Sequence, residues 1–144
     1  MSPEPLAKLR QLLDMFAMFD PADRTSMLLS YADQFKGVPP EIATRPFDAS
    51  HQIPQCESDA YVWAMKRPDG TLQLYFAVEN PSGVSAKALA AILDRTLSGL
   101  RPPEIAAVTP DIVENIFRQN ISMGKGLGLM SMVQAVSALA KAAL

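Results

Sequence analysis

The sequence predicts an α+β fold, a small antiparallel sheet flanked by helices, from three observations. Apolar residues recur at helical spacing in several separate stretches. One central pair of segments alternates as a β-hairpin. Nothing alternates strand with helix as parallel βαβ units require.

The elements follow in order. Leu6, Leu9, Leu12, Leu13 and Phe16 lie on one face of an amphipathic helix predicted over residues 5–18. Asp20 reads as an N-cap with Pro21 at the first helical position, opening a second helix that carries Leu28, Tyr31 and Phe35. Gly37 and Pro39-Pro40 stop it. From there to Asp59, Pro46 and Pro54 among scattered polar residues predict an extended segment that is mostly loop.

Residues 60–67, AYVWAMKR, are apolar on both alternating faces, as in a strand covered on each side. Pro68-Asp69-Gly70 is a turn. In TLQLYFAV, Leu72, Leu74, Phe76 and Val78 face one way and Thr71, Gln73 and Tyr75 the other, as in an antiparallel hairpin partner. Leu89, Ile92, Leu93 and Leu97 then mark a third helix that Gly99 ends, and Thr109-Pro110 opens another through about Arg118. QNISMGKGLG is expected to be a loop. Leu129, Met132, Val133, Val136 and Leu139 define a final helix. The methionines read mostly as core, with Met123 left in the loop. With no internal repeat and no low-complexity tract, residues 1–144 are expected to form a single domain, long enough to bury roughly 70% of the unfolded surface.

Composition narrows the function. A net charge of −2 and a pI of about 5.3 give no basic field, and no Lys/Arg run appears, which argues against nucleic acid as a partner. The N-terminus lacks a signal-peptide core, and no stretch approaches the roughly 20 apolar residues that cross a bilayer. A cytoplasmic protein with no membrane partner is expected.

The chain has one cysteine and one histidine, both in HQIPQCESDAYVW. A free cysteine is most often a small buried hydrophobe. Cys56, however, sits among Pro54, Gln55, Glu57, Ser58 and Asp59, poor company for an inert core residue and a good setting for a positioned nucleophile. Two acids beside a thiol work against its ionisation, so a cation or donor must come from elsewhere in the fold. His51 is a candidate base, but a cysteine hydrolase also needs a residue to orient the imidazole and donors for an oxyanion, and neither is visible.

MGKGLGL, residues 123–129, is a poor phosphate loop: it lacks the Walker spacing before Lys125, no Ser or Thr follows that lysine, and no strand leads into it. It reads instead as a flexible helix entrance whose free N–H groups and Lys125 make a positive end. Lying over Cys56, that end would favour a thiolate.

Together IPQCESDAYVW, PDGTLQLYF, SAKALAAILDRTLSGLRPPEIAAVTPDIV, QNISMGKGLGLMSMV and the early DPADRTSMLLSYADQF resemble the SufE family, sulfur acceptors that serve cysteine desulfurases in iron–sulfur cluster assembly. The family pattern V-P-G-C-x-S is filled by Ile53, Pro54, Gln55, Cys56, Glu57 and Ser58, with Gln55 replacing the usual glycine and stiffening the loop. The aromatic residue that follows corresponds to Tyr61. The C-terminal pattern L-(S/T)-P-S-R-x-x-G-(L/F) falls on Ile121 to Leu129. It places Lys125 where arginine is usual, Met123-Gly124 where Pro-Ser is usual, and keeps Gly128.

The resemblance implies the SufE/NifU-like (IscU-like) fold and a function. Cys56 would take persulfide sulfur from a SufS-like cysteine desulfurase, stimulate it, and pass the sulfur on, with a cluster scaffold as a further partner and no metal or cofactor. The chain would act as a sulfur-transfer partner rather than a stand-alone enzyme. Lys125, Gln55, Ser58, Pro54 and Gly128 would support the site, and His51, Asp59 and Glu57 would meet the partner. The alternative is a docking module that regulates a desulfurase without carrying sulfur.

Overall fold

The computed structural model describes residues 6–56 and 58–144. Its elements in chain order are α1 (Ala7–Ala17), α2 (Pro21–Gln34), β1 (Ala60–Lys66), β2 (Leu72–Val78), α3 (Val84–Leu97), α4 (Pro102–Ala106), α5 (Ile112–Phe117) and α6 (Met123–Ala142), with 3-10 turns at Ala49–His51 and Arg118–Asn120. The fold is α+β, as expected. The two strands pair antiparallel, Ala60 opposite Val78, Trp63 opposite Tyr75 and Lys66 opposite Leu72.

Helix α3 runs through the centre. Leu89, Ile92, Leu93 and Leu97 are fully buried, and Ala86, Ala88 and Ala90 let α2 and β2 pack close against it. Gly99, at φ +94, turns the chain out of α3 and back along the outer edge of β2. There the Leu72 amide donates to the Leu100 carbonyl (2.9 Å), the Gly99 amide to the Leu72 carbonyl (2.8 Å) and the Leu74 amide to Ser98 Oγ (3.0 Å). Gly37 bridges to Phe76 further along. The edge that a two-stranded sheet leaves open is thus closed by the chain itself.

Four expectations need correction. The segment read as loop, QNISMGKGLG, becomes helix from Met123 onward, because Ser122 caps it: its Oγ accepts from the Lys125 amide at 3.3 Å. The three glycines that erase the apolar periodicity hid that start. Helix α4 was not expected, since five residues opening on Pro102-Pro103 are too few to show a period. Strand β1 is covered on both faces only through Trp63, and Met65 and Lys66 emerge into solvent. Of the methionines, Met132 is buried, but Met18 and Met65 are exposed along with Met123. No helix among the described residues is long and apolar enough to cross a membrane.

One charged residue is built into the scaffold. Arg24 on α2 is 2% exposed. One guanidinium nitrogen donates to the carbonyls of Ile116 (2.8 Å) and Asn115 (3.4 Å), the other to those of Phe16 (2.7 Å) and Phe19 (3.1 Å). These carbonyls lie at or just beyond the C-terminal ends of α5 and α1, where a cation also opposes the helix dipoles. Burial, reinforced by the charge of Arg118, lowers the Arg24 pKa, yet a guanidinium remains charged at any physiological pH. Arg24→Met removes the guanidinium from those carbonyls, leaving Phe16 only its bond from the Phe19 amide, and should cost about 3 kcal/mol in urea unfolding. Arg24→Lys should recover little of it, because an ammonium lacks the planar fork that reaches both helix ends.

Candidate functional site

The segment that carries the single thiol turns sharply twice. Gln55 has φ +61 and Asp59 φ +50, both in the left-handed region. Between them the Asp59 amide donates to the Cys56 carbonyl at 3.3 Å. Asp tolerates this backbone; a residue such as Gln adopts it at a cost of about 1 kcal/mol, and glycine at none. That is a physical reason for the glycine usual in the family pattern where this chain has Gln55.

Two neighbouring helices press on the loop, each through a glycine. A Cβ at Gly128 of α6 would stand 2.8 Å from the Gln55 carbonyl oxygen and 3.2 Å from Cys56 Cα. A Cβ at Gly83, the N-cap of α3, would stand 2.8 Å from Ser58 Oγ. The Asn80 amide donates to the Ser58 carbonyl at 3.1 Å, and the Asn80 side-chain oxygen accepts from the Ser82 amide and hydroxyl, shaping the entry to α3.

Cys56 itself is half-buried, with a cavity on each side. The inner one, about 160 Å³, is lined by Cys56, Ser58 and Asn80, by Val84, Ser85 and Ala86 in the first turn of α3, and by Gly124 and Lys125 in the first turn of α6. The outer one, a depression of about 470 Å³, is lined by Ala49, Gln52, Ile53, Pro54, Gln55 and Cys56. Two helix N-termini therefore open on the inner cavity. Among the described residues no side chain caps α3 or takes up the amides of Ser85 and Ala86, and α6 adds the Lys125 charge.

The structure thus brings Cys56, Ser58, Lys125 and Gly128 together, with Pro54 and Gln55 on the outer side. Asp59 is exposed on the same loop. His51 is spent elsewhere. Its Nδ1 lies 3.0 Å from the Val62 carbonyl, to which it donates, and its ring stacks on Trp63 at 5.2 Å. Phe47 packs against both Tyr61 and Trp63, completing an aromatic patch. His51 lines neither cavity beside Cys56, so no base for a cysteine hydrolase stands at the thiol among the described residues. Glu57 lies outside the described residues. Sequence reasoning did not find Gly83 and Ser85, although Ser82-Gly83 ahead of an apolar helix was a signal for an N-terminus placed near the site.

The contrast between Gly128 and Gly124 is testable within one helix. Gly128→Ala must push backbone against backbone, and should cost about 1–3 kcal/mol despite alanine's better helix propensity, while raising the alkylation rate of Cys56. Gly124 has open space where a Cβ would stand, so Gly124→Ala should stabilise by up to about 1 kcal/mol. Equilibrium unfolding of the two variants, with opposite signs expected, checks the packing.

A family model described as "SufE: Fe-S metabolism associated domain" matches residues 10–140. The fold is similar to a solution structure described as a hypothetical protein from Thermus thermophilus, with a TM-score of 0.73 and 25% identity over 94% of this chain and 95% of that one. A comparison with curated proteins returns no match. The extent of the family match, on a chain that folds its lone cysteine between two helix N-termini, is decisive: the chain belongs to the SufE family of domains associated with Fe–S metabolism.

Proposed function

We propose that Cys56 accepts sulfur from the persulfide of a cysteine desulfurase and passes it towards iron–sulfur cluster assembly. The observation that carries this reading is the placement of the thiol: half-buried, between an open depression and an inner cavity onto which two helix N-termini and Lys125 converge.

The chemistry needs one sulfur and no cofactor. The Cys56 thiolate attacks the outer sulfur of the donor's Cys–S–SH. A new S–S bond forms at Cys56, the donor's S–S bond breaks, and the donor cysteine leaves as its thiolate. Electrons balance without an external oxidant. During attack and after it, negative charge sits on sulfur. The amide groups at the starts of α3 and α6, with Lys125, supply fixed positive potential for it. The inner cavity, at about 160 Å³, exceeds the roughly 30 Å³ of one water and so has room for one added sulfur atom. Pro54 and Gln55 set the outward face of the loop, Ser58 its inner face, and His51, Asp59 and Glu57 are the contacts offered to the desulfurase.

Incubation with a cysteine desulfurase and cysteine should add the mass of one sulfur to Cys56, and Cys56→Ser should gain nothing. Stimulation of the desulfurase that survives Cys56→Ser, with no added mass on the parent protein, would instead favour a docking module. Lys125→Glu should slow sulfur uptake by about tenfold at low ionic strength and less at high salt, with Lys125→Arg close to the parent.

A further inference from the structure

The departure from the family pattern at Gln55 has a counterpart on α6. Gln55 Oε1 accepts a hydrogen bond from Ser131 Oγ at 3.3 Å. Ser131 is 6% exposed, one turn beyond Gly128, where α6 touches the Gln55 carbonyl. A serine inside a helix ordinarily returns its hydroxyl to the carbonyl one turn back. Here the hydroxyl reaches across to the loop that carries Cys56. A residue with a side chain has thus taken a left-handed position that glycine holds without cost, and its amide meets a donor on the wall the loop rests against.

We propose that Gln55 and Ser131 form a latch that holds the Cys56 loop against α6 and sets how often the thiol is presented on the outer side. The pair are positioning residues, acting through the backbone of the loop rather than on sulfur. Breaking the hydrogen bond and swinging the loop away from Gly128 moves Cys56 from the inner cavity towards the open depression that Pro54 and Gln55 line. A chain with glycine in place of Gln55 would have a loop with no such tie. The inference deepens the reading of Cys56 as a sulfur acceptor and rests on it for its biological meaning, but its test needs no desulfurase.

The rate of Cys56 alkylation by iodoacetamide, measured across pH on the full chain, reads the latch directly. Ser131→Ala and Gln55→Ala should each raise the plateau rate by about three- to tenfold, the effect of one hydrogen bond. The double variant should react no faster than the faster single one. The midpoint of the pH profile should stay in place, because the open loop remains a minor population and the thiol ionises chiefly in the inner cavity. Single variants that react at the parental rate, singles whose effects multiply in the double variant, or a moved midpoint with an unchanged plateau would each overturn the latch. Ser131→Ala keeps the backbone of Gln55 untouched, so its result stands even where Gln55→Ala disturbs the turn. Failure of Cys56 to gain sulfur from a desulfurase, with these alkylation results as expected, would overturn the acceptor reading and leave the latch standing.

Discussion

The site depends on the close approach that two glycines allow. Gly128 and Gly83 bring α6 and the start of α3 into contact with the chain around Cys56, at distances where a methyl group on either glycine would be inside contact radius. Two consequences follow from that one constraint. At Gly128 the wall is backbone against backbone and does not move with side-chain rotamers, whereas Gly83 meets the side chains of Ser58 and Val78, so the position of the loop is set by helix packing on one side and by those two side chains on the other. And the first turns of α3 and α6 come to line one cavity with Cys56. A larger residue at either position would push the loop away from the helix it rests on there.

The electrostatics of the loop run against its own sequence. Asp59 stands near Cys56 in the chain, and on charge alone it disfavours an anion there. The fold answers by turning Asp59 outward through its left-handed backbone, where it is exposed, while the inner cavity is faced by amide groups, hydroxyls and Lys125. Lysine at this position contributes charge without the fork geometry of arginine, so it acts on the site as a point charge on a flexible stem. Orientation of the loop must then come from elsewhere, and backbone contacts at Gly128 together with the tie from Gln55 to Ser131 supply it.

Much of the fold was legible because periodicity reports burial directly. Leu9, Leu12 and Phe16, Leu72, Leu74 and Phe76, and Leu89, Ile92, Leu93 and Leu97 are buried as their spacing required. The start of α6 was not legible, since Gly124, Gly126 and Gly128 interrupt the apolar pattern; the cap at Ser122 was the signal to read there, a local hydrogen bond that outweighs weak propensity. Arg24 was unreadable for another reason. A charged residue on a helix reads as solvent-facing, and only the tertiary arrangement of α1 and α5 reveals carbonyls that bury it. At the site, the polar neighbours of Cys56 argued against a buried core thiol, and it is half-buried; the resemblance pointed to Lys125 and Gly128, which line the cavity beside it. The contribution of α3 was hidden because it arises from a contact between segments distant in sequence.

The placement of α6 is in turn inherited from the other end of the chain. Asp20 caps α2 through the Asp23 amide at 2.8 Å, fixing where that helix begins. The Asn120 side chain then donates to the Pro21 carbonyl (3.0 Å) and to Thr25 Oγ (2.8 Å) in the first two turns of α2. Arg24, between them in sequence, holds the end of α5 just ahead of Asn120. The chain therefore enters Ser122 from a point already tied to α2 by side-chain bonds on either side of the turn at Arg118, whose φ of +49 marks how sharply it bends. Ser122 starts α6 from that point, and α6 presents Gly124, Lys125 and Gly128 to the thiol in consecutive turns. An isolated helix with three glycines at its start would fray there, because each costs about 1 kcal/mol relative to alanine. The bonds to α2 fix the chain just ahead of that start, so the N-terminal α-helical pair serves the site from a distance.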